Sequence, residues 1–451
     1  MSTSHRALVC FTLATALAAG VSVAQTAGNL DARIEKELPS IVALYKQLHA
    51  APELSFQEKN TAAVMARELR AAGYEVTENV GQYDRPGRVH YGIVAVMKNG
   101  AGPTLLIRAD MDGLPVEEKT GVPYASKVRG KNDAGLDVGV MHACGHDVHM
   151  ASFVGTARIM AQMKSEWRGT LLMVAQPAEE AVGGAIGMVK SGMYAKFGKP
   201  DFAIALHDTG DLPAGTVGYT PGYALASSTS VDLRIRGVGG HGSRPDNAKD
   251  PIVLAAQIVL ALQTIVSRET SPFDPAVVTV GSIHGGTRHN IIPDDVHLQL
   301  TIRTYKEDVR QRILASIERI ARNIAIAAAV PADRLPVMTV GDDFALSTYN
   351  DPALTERTAR AMERALGKEN TIAVPPVMGA EDFGHFGLEK REVPISIFWL
   401  GATDPAKFKA AQQSGKPVPS LHSSEFAPLP EPTLRTGVKA MTSVALDLLK
   451  K

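Results

Sequence analysis

The stretch Thr104-Leu-Leu-Ile-Arg108-Ala-Asp110-Met-Asp112-Gly-Leu-Pro115 decides how this chain is read. Its apolar start, bounded by Pro103 and by Gly113 and Pro115, reads as a buried strand that delivers Asp110 and Asp112 just past its end. The same form recurs downstream. Thr170–Gln176 is stopped by Pro177 and delivers Glu179 and Glu180, and Asp201–Leu206 ends at His207. Gly92–Val96 and Ile395–Leu400 are further strands. Apolar residues at helical spacing predict helices over Asp31–Leu48, Thr61–Ala72 (with Gly73 as its stop), Val148–Met163, Gly184–Met193 and Glu431–Leu449. Strands alternating with helices imply an α/β fold with a mainly parallel sheet. In such sheets ligands sit beyond the carboxyl ends of the strands, so segments distant in sequence are expected to converge there.

Between these halves the pattern changes. Ser230–Arg236, Asp250–Ser267, Val277–Ile283, Val296–Arg303, Lys306–Ala328 and Pro336–Val340 follow the order β-α-β-β-α-β, the ferredoxin-like pattern of two helices on an antiparallel sheet. The expected organisation is a signal peptide over 1–24, a first α/β part over 28–218, an inserted α+β domain over 219–335 and a second α/β part over 336–451.

The 451 residues are 45% hydrophobic and 21% charged, ordinary for a globular enzyme and outside the range of disordered chains. Lys+Arg and Asp+Glu number 47 each, so no net field favours nucleic acid. Nucleic acid is not an expected partner. His5 and Arg6, the apolar run Ala7 to Ala19, and Ser22-Val23-Ala24 read as a signal peptide cut before Gln25. The run is too short to span a membrane comfortably. The expectation is an exported protein, periplasmic or secreted, with no membrane attachment after cleavage. Losing Cys10 leaves Cys144 as the one mature cysteine. It is then either a small buried residue or a chemically used thiol.

The neighbours of Cys144 favour use. In His142-Ala-Cys144-Gly-His146-Asp147-Val-His149 a thiolate and an imidazole two residues apart in a glycine-containing turn can face one point, a donor set that suits zinc or a similar divalent ion. A buried thiol with histidines at a helix start is the plainer alternative. Glu179 and Glu180 have side chains that diverge, so one can bind a metal while the other faces the nucleophile. His241 and His422 stand in Gly-Gly-His-Gly-Ser-Arg and Leu-His-Ser-Ser-Glu-Phe.

Taken together, Arg108-Ala-Asp110-Met-Asp112-Gly-Leu-Pro, His142-Ala-Cys-Gly-His146-Asp147, Gln-Pro-Ala-Glu179-Glu180, Gly-Gly-His241, Met-Gly-Ala-Glu381-Asp382-Phe383 and Leu-His422-Ser resemble the M20 metallopeptidases. Within these they resemble the amidohydrolase branch of hippurate, N-acyl-amino-acid and auxin-conjugate hydrolases. The resemblance covers about residues 30 to 450, with the motifs in family order. It implies a zinc-peptidase-like catalytic domain with an inserted ferredoxin-like α+β lid or dimerisation domain. It also implies two divalent ions per chain, zinc foremost, with manganese or cobalt as alternatives. Cys144 would bridge them, His146, Glu180, His207 and His422 would complete the ligands, and Glu179 would be the general base. Asp110 matches an aspartate that supports the ligands without binding metal, and Arg108 stands where many relatives carry a ligating histidine. His241 matches a residue that steadies the oxyanion, often across a dimer. Asn290 and Arg303 match positions that meet the substrate carboxylate.

The implied reaction is hydrolysis of N-acyl amino acids, aryl-acyl conjugates foremost, by a metal-bound water that gives its proton to Glu179. The implied assembly is a homodimer or higher homo-oligomer through the inserted domain. A dipeptidase or carboxypeptidase of the same family, a thiol enzyme using Cys144 with His146, and an exported metal- or solute-binding protein without turnover are the alternatives.

Overall fold

The structure, a computed structural model, describes residues 30–83 and 88–450. The signal peptide expected over residues 1–24 lies outside the described residues.

The described residues build a mixed eight-stranded sheet in the spatial order Glu75–Val80, Gly92–Asn99, Gly169–Gln176, Thr104–Asp110, Phe202–Pro213, Ile395–Thr403, Val217–Tyr219, Thr371–Ala373. Its centre is parallel: Thr104–Asp110 pairs with Gly169–Gln176 and Phe202–Pro213, and the latter with Ile395–Thr403. Strands at the Glu75 side run antiparallel.

The period-2 geometry of a strand sends alternate side chains to opposite faces, and both faces are covered. Leu105, Ile107 and Ala109 join a core shared with helices 30–49, Lys59–Ala71, His146–Gln162 and Pro430–Leu448. Leu106 enters the opposite core with Met188, Phe383 and Phe386. Arg108 and Asp110 lie on that second face and are fully buried, so two charged groups occupy positions where a sheet normally carries aliphatic residues.

The inserted domain is a four-stranded antiparallel sheet in the order Ala276–His284, Asp295–Thr304, Ser227–Arg236, Val337–Ala345. Helices Pro251–Thr264 and Glu307–Ala327 supply its core through Leu254, Ile258, Leu262, Ile313 and Ile317. The ferredoxin-like topology expected from the element order is present.

Two boundaries differ from the sequence reading. Val337–Ala345 pairs with Ser227–Arg236, so this sheet takes in residues placed after the expected boundary at 336. Gly222–Leu225 pairs instead with Thr348–Asn350, and these two short strands form the double crossing between the domains. Likewise the strand expected to stop at Leu206 continues to Pro213, because Ile395–Thr403 keeps pairing beside it through Thr209.

Asn350 ties this crossing to the main sheet. Its Nδ2 donates to the carbonyls of Thr220 and Ile397, both at 2.9 Å, and its Oδ1 accepts from Ile397 N–H at 2.8 Å. The residue is fully buried, so truncation strands backbone groups without water. Asn350→Ala is expected to lower unfolding stability by about 2–4 kcal/mol in urea titrations. A loss below 0.5 kcal/mol, the ordinary range of surface changes, would show that the crossing does not depend on it.

Candidate metal centre

The convergence expected at the strand ends is observed. Thr104–Asp110, the turn after Gly169–Gln176, the interior of Phe202–Pro213, the start of helix His146–Gln162 and the loop at His422 meet over the sheet. Among the sets of potential ligand atoms there that lie within 4.8 Å of one another are Cys144 with His146 and His207, Cys144 with Glu180 and His422, and His146 with Glu179 and Glu180. The Cys144 Sγ is 3.3 Å from His422 Nε2 and 3.6 Å from His207 Nε2. His422 Nε2 is 3.6 Å from Glu180 Oε1, and His146 Nε2 is 3.9 Å from both Glu179 and Glu180. The five ligand positions read from the sequence, Cys144, His146, Glu180, His207 and His422, therefore form one cluster, with Glu179 at its edge.

Local backbone makes this possible. Gly145 precedes the helix at φ 72°, and a β-carbon there would lie 2.2 Å from the Asp208 carboxylate, so only glycine fits. His422 holds a left-handed φ of 66° while its N–H donates to the Ala143 carbonyl at 2.8 Å, which folds its ring back onto Cys144.

The imidazoles are fixed by their outward nitrogens, as metal-binding histidines commonly are. His146 Nδ1 faces the Asp112 carbonyl at 2.8 Å and His207 Nδ1 the Asp208 carbonyl at 2.7 Å, leaving each Nε2 directed inward. His149, with Nδ1 2.6 Å from the Asp110 carboxylate and Nε2 accepting from the Asp208 backbone N–H at 2.8 Å, is committed to those two residues. It is a buried spacer that locks Asp110 and Asp208.

The charge balance tests whether cations fit. Burial, with Glu381, Glu180 and Asp382 nearby, holds Glu179 well above the ordinary carboxylate range. Burial first, and then Asp112, pushes Glu180 up to about 7 even though His146 opposes. Burial and these same glutamates push the Cys144 thiol up. His146 Nε2 and Glu180 Oε1 are buried atoms without a hydrogen-bond partner. Buried polar groups are normally satisfied. This centre carries more negative charge than Arg108 and the histidines neutralise, and unpaired donors aim at its middle. Divalent ions would supply the missing charge, and a thiolate, imidazoles and a carboxylate suit zinc, manganese or cobalt.

Arg108 is not a ligand. Its guanidinium donates to Gln176 at 2.8 Å, Asp110 at 2.6 Å, Glu381 at 2.7 Å and Asp382 at 3.0 Å. All four partners sat in motifs quoted above; that they share Arg108 could not be read from spacing.

A cavity of about 730 Å³ opens over the cluster. Trp399 stands in it with its ring 5.4 Å from that of His207, and Leu212 and Val374 close on Gly218 beside it. From the inserted domain come Ser228 and Arg303, opposite each other in the sheet register. Arg303 is half-buried and has no hydrogen-bond or ion-pair partner among the described residues. His241 and Asn290 are not in this cavity. They sit together on an exposed two-strand ribbon of the inserted domain, where Gly242 N–H donates to the Asn290 carbonyl.

Behind the ligand loop, His49 bridges Asp147 at 2.6 Å and Glu118 at 3.0 Å. Burial opposes its charge, but the two carboxylates lift it to about 10. Since this lies above the unfolded value, its contribution to stability is full below about pH 6.5 and fades as pH rises towards 10. The stability difference between wild type and His49→Gln is therefore expected to be largest near pH 6 and to shrink steadily by pH 9.5. A pH-independent difference in urea titrations would show that His49 is not held as a cation.

Residues 106–445 match the description Peptidase family M20/M25/M40. The chain is 33% identical to thermostable carboxypeptidase 1 of Saccharolobus solfataricus over 91% of its length and 96% of that protein. It is 35% identical to hippurate hydrolase of Campylobacter jejuni over 75% of its length and 83% of that protein. The crystal structure of the YXEP protein of Bacillus subtilis, described as a dinuclear metal binding peptidase, superposes with a TM-score of 0.71 at 28% identity. It covers 92% of this chain and 99% of that one.

Proposed function

The chain belongs to peptidase family M20/M25/M40, a metal-dependent hydrolase acting on amide bonds, and on that premise we propose that it releases amino acids from N-acyl conjugates with apolar, preferably aromatic, acyl groups. The observation that carries this is the cavity: an apolar wall of Trp399, Leu212 and Val374 beside the ligand cluster, together with one unpaired cation, Arg303. An unpaired, half-buried guanidinium suits a carboxylate. A charged α-amine on the acyl side would be desolvated against Trp399 and Leu212, which favours acyl amino acids over dipeptides. The similarity to a carboxypeptidase keeps N-blocked peptides within the same reading.

Cys144, His146, Glu180, His207 and His422 would hold two divalent ions. When bound, these supply Lewis acidity to the amide carbonyl and a nucleophile at neutral pH. Glu179, beside the ligands and nearly buried, accepts the proton of the attacking water and returns it to the leaving nitrogen. Asp110 and Asp208, fixed by His149, hold the histidines in register, and Arg303 with Ser228 orients the substrate carboxylate. The thiol-enzyme alternative is disfavoured on two counts. Cys144 faces His207 and His422 rather than the His146 proposed as its base. Its surroundings also hold the thiol protonated, the opposite of an activated nucleophile.

The assay is hydrolysis of benzoyl-, indole-acyl- and acetyl-amino acids, with and without the α-carboxylate blocked as an amide. It is run after chelation and after adding back Zn²⁺, Mn²⁺ or Co²⁺. Activity should vanish with the chelator and return with an ion, aryl-acyl substrates should lead, and blocking the carboxylate should raise KM. Glu179→Ala should keep its metal and lose about two to four orders of magnitude in kcat. Activity indifferent to chelation would move the chemistry to Cys144, and near wild-type turnover in Glu179→Ala would remove the base assignment.

The inserted domain supports assembly with a second copy. The outer face of helix Pro251–Thr264 exposes Ile252, Val253 and Leu260, and Ala276–His284 is a free sheet edge beside it, a pairing a two-fold axis can satisfy. A partner docked there would bring a second His241 and Asn290 near a cavity that lacks them, as oxyanion and carboxylate contacts. The leader-like segment supports export to the periplasm or medium. Native and denaturing mass spectrometry of protein recovered from those fractions should give an even-numbered oligomer of chains beginning at Gln25. Fully active monomers, or chains retaining Met1, would count against assembly and export respectively.

A further inference from the structure

The turn carrying Glu179 and Glu180 is held from behind by carboxylates that the reaction leaves unused. Ala178 N–H donates to Glu58 Oε1 at 2.7 Å, Glu179 N–H to Asp112 Oδ1 at 3.1 Å and Glu180 N–H to Asp112 Oδ2 at 3.0 Å. Three consecutive backbone donors thus end on two side chains from elsewhere in the sequence. The turn needs such restraint. Ala178 and Val182 hold left-handed φ values of 53° and 50°, conformations that residues with a β-carbon keep only when their surroundings impose them.

Asp112 is multiply engaged, since it also accepts from Ser55 at 2.6 Å and faces His146. Glu58 is different. It stands at the N-terminus of helix Lys59–Ala71, where an acidic side chain would ordinarily cap its own helix, yet it makes no capping bond. The side chain turns inward, is completely buried, and has only Oε1 engaged by a hydrogen bond to another residue; Oε2 has no partner. Burial and the adjacent Asp112 raise its pKa to about 8. A leucine would fill such a site without the desolvation penalty. What the carboxyl adds is the acceptor for Ala178, the residue immediately before Glu179.

We propose that Glu58 is a positioning residue for the general base: its Oε1 fixes the Ala178 peptide and thereby the direction in which Glu179 enters the cavity. This rests on the reading of Glu179 as base. A displacement of about 1 Å at a catalytic group can cost on the order of a hundredfold in rate, so one hydrogen bond at the root of the turn has leverage on kcat.

The test compares Glu58→Gln, which keeps the reach and the acceptor without the charge, with Glu58→Asp, which keeps the charge but is one methylene short. Glu58→Ala is the full truncation. Each is assayed as metal-loaded enzyme on the best acyl substrate, with metal content and Tm recorded. Glu58→Asp and Glu58→Ala should lose about ten- to a hundredfold in kcat with KM within about twofold and both ions retained, while Glu58→Gln should stay within about threefold of wild type. The Gln and Asp variants decide the matter even where Ala does not fold. Unchanged kcat in folded Glu58→Asp would overturn the proposal. So would loss of metal together with kcat, or failure of Gln to restore the rate. Glu179→Gln, assayed alongside, separates the premise from the proposal: turnover retained there removes the base, whereas turnover lost there but kept in Glu58→Asp removes the positioning role alone.

Discussion

A single buried guanidinium underlies the arrangement of this centre. Arg108 leaves the middle of a central strand on the face where Leu106 packs, and it is enclosed with Asp110, Glu381, Asp382 and Gln176 around it. Removing one partner of such a buried network leaves uncompensated charge and typically costs about 3–5 kcal/mol. The network therefore has one low-energy arrangement. It joins the ends of strands Thr104–Asp110 and Gly169–Gln176 to the Asp382–Gly387 turn, across as many as 274 residues of chain. Asp110 is locked on one side by Arg108 and on the other by His149, and from there the order passes to Asp208 and His207.

A second constraint is the opposite sign of charge in front of Arg108. Burial displaces Glu179, Glu180 and Cys144 towards their protonated forms, helped by Glu381 at Glu179, by Asp112 at Glu180 and by the two glutamates at Cys144, and His207 is driven well below its usual range by burial and by His149. A neutral imidazole and anionic donors are the forms that ligate cations. The ligand cluster and the Arg108 network thus divide the work. The guanidinium holds Asp110 in its charged form, while Glu179 and Glu180 face the cavity without a cation of that kind.

Much of this was legible along the chain. Apolar runs ended by Pro177 or Gly113 marked the central strands, and the β-α-β-β-α-β order identified the inserted domain, because both signals are local and periodic. Cys144 and His146 drew attention through their density, and Glu179 and Glu180 through their adjacency after a strand. Other features were read only in part or left no mark. His207 lies within a long strand rather than at its end, since pairing with Ile395–Thr403 carries the ladder onward. Glu58 looks like an ordinary helix-start acid, and Trp399 like a core aromatic. His241 and Asn290, legible as a motif, lie outside the cavity of their own chain.

The division follows from the range of the forces. Patterns of residues two to four apart encode strands, helices, turns and the local ligand pairs, since those depend on backbone geometry and nearest-neighbour burial. From them the α/β class, the insertion and the Cys144–His146 and Glu179–Glu180 pairs could be written down before any coordinates. Which carboxylates surround Arg108, which histidine is a spacer, and which cation is left unpaired in the cavity depend on side chains brought together across more than a hundred residues. These are contacts of electrostatics and exclusion of water in a crowded interior, and a linear sequence carries no measure of either until the chain has closed around them.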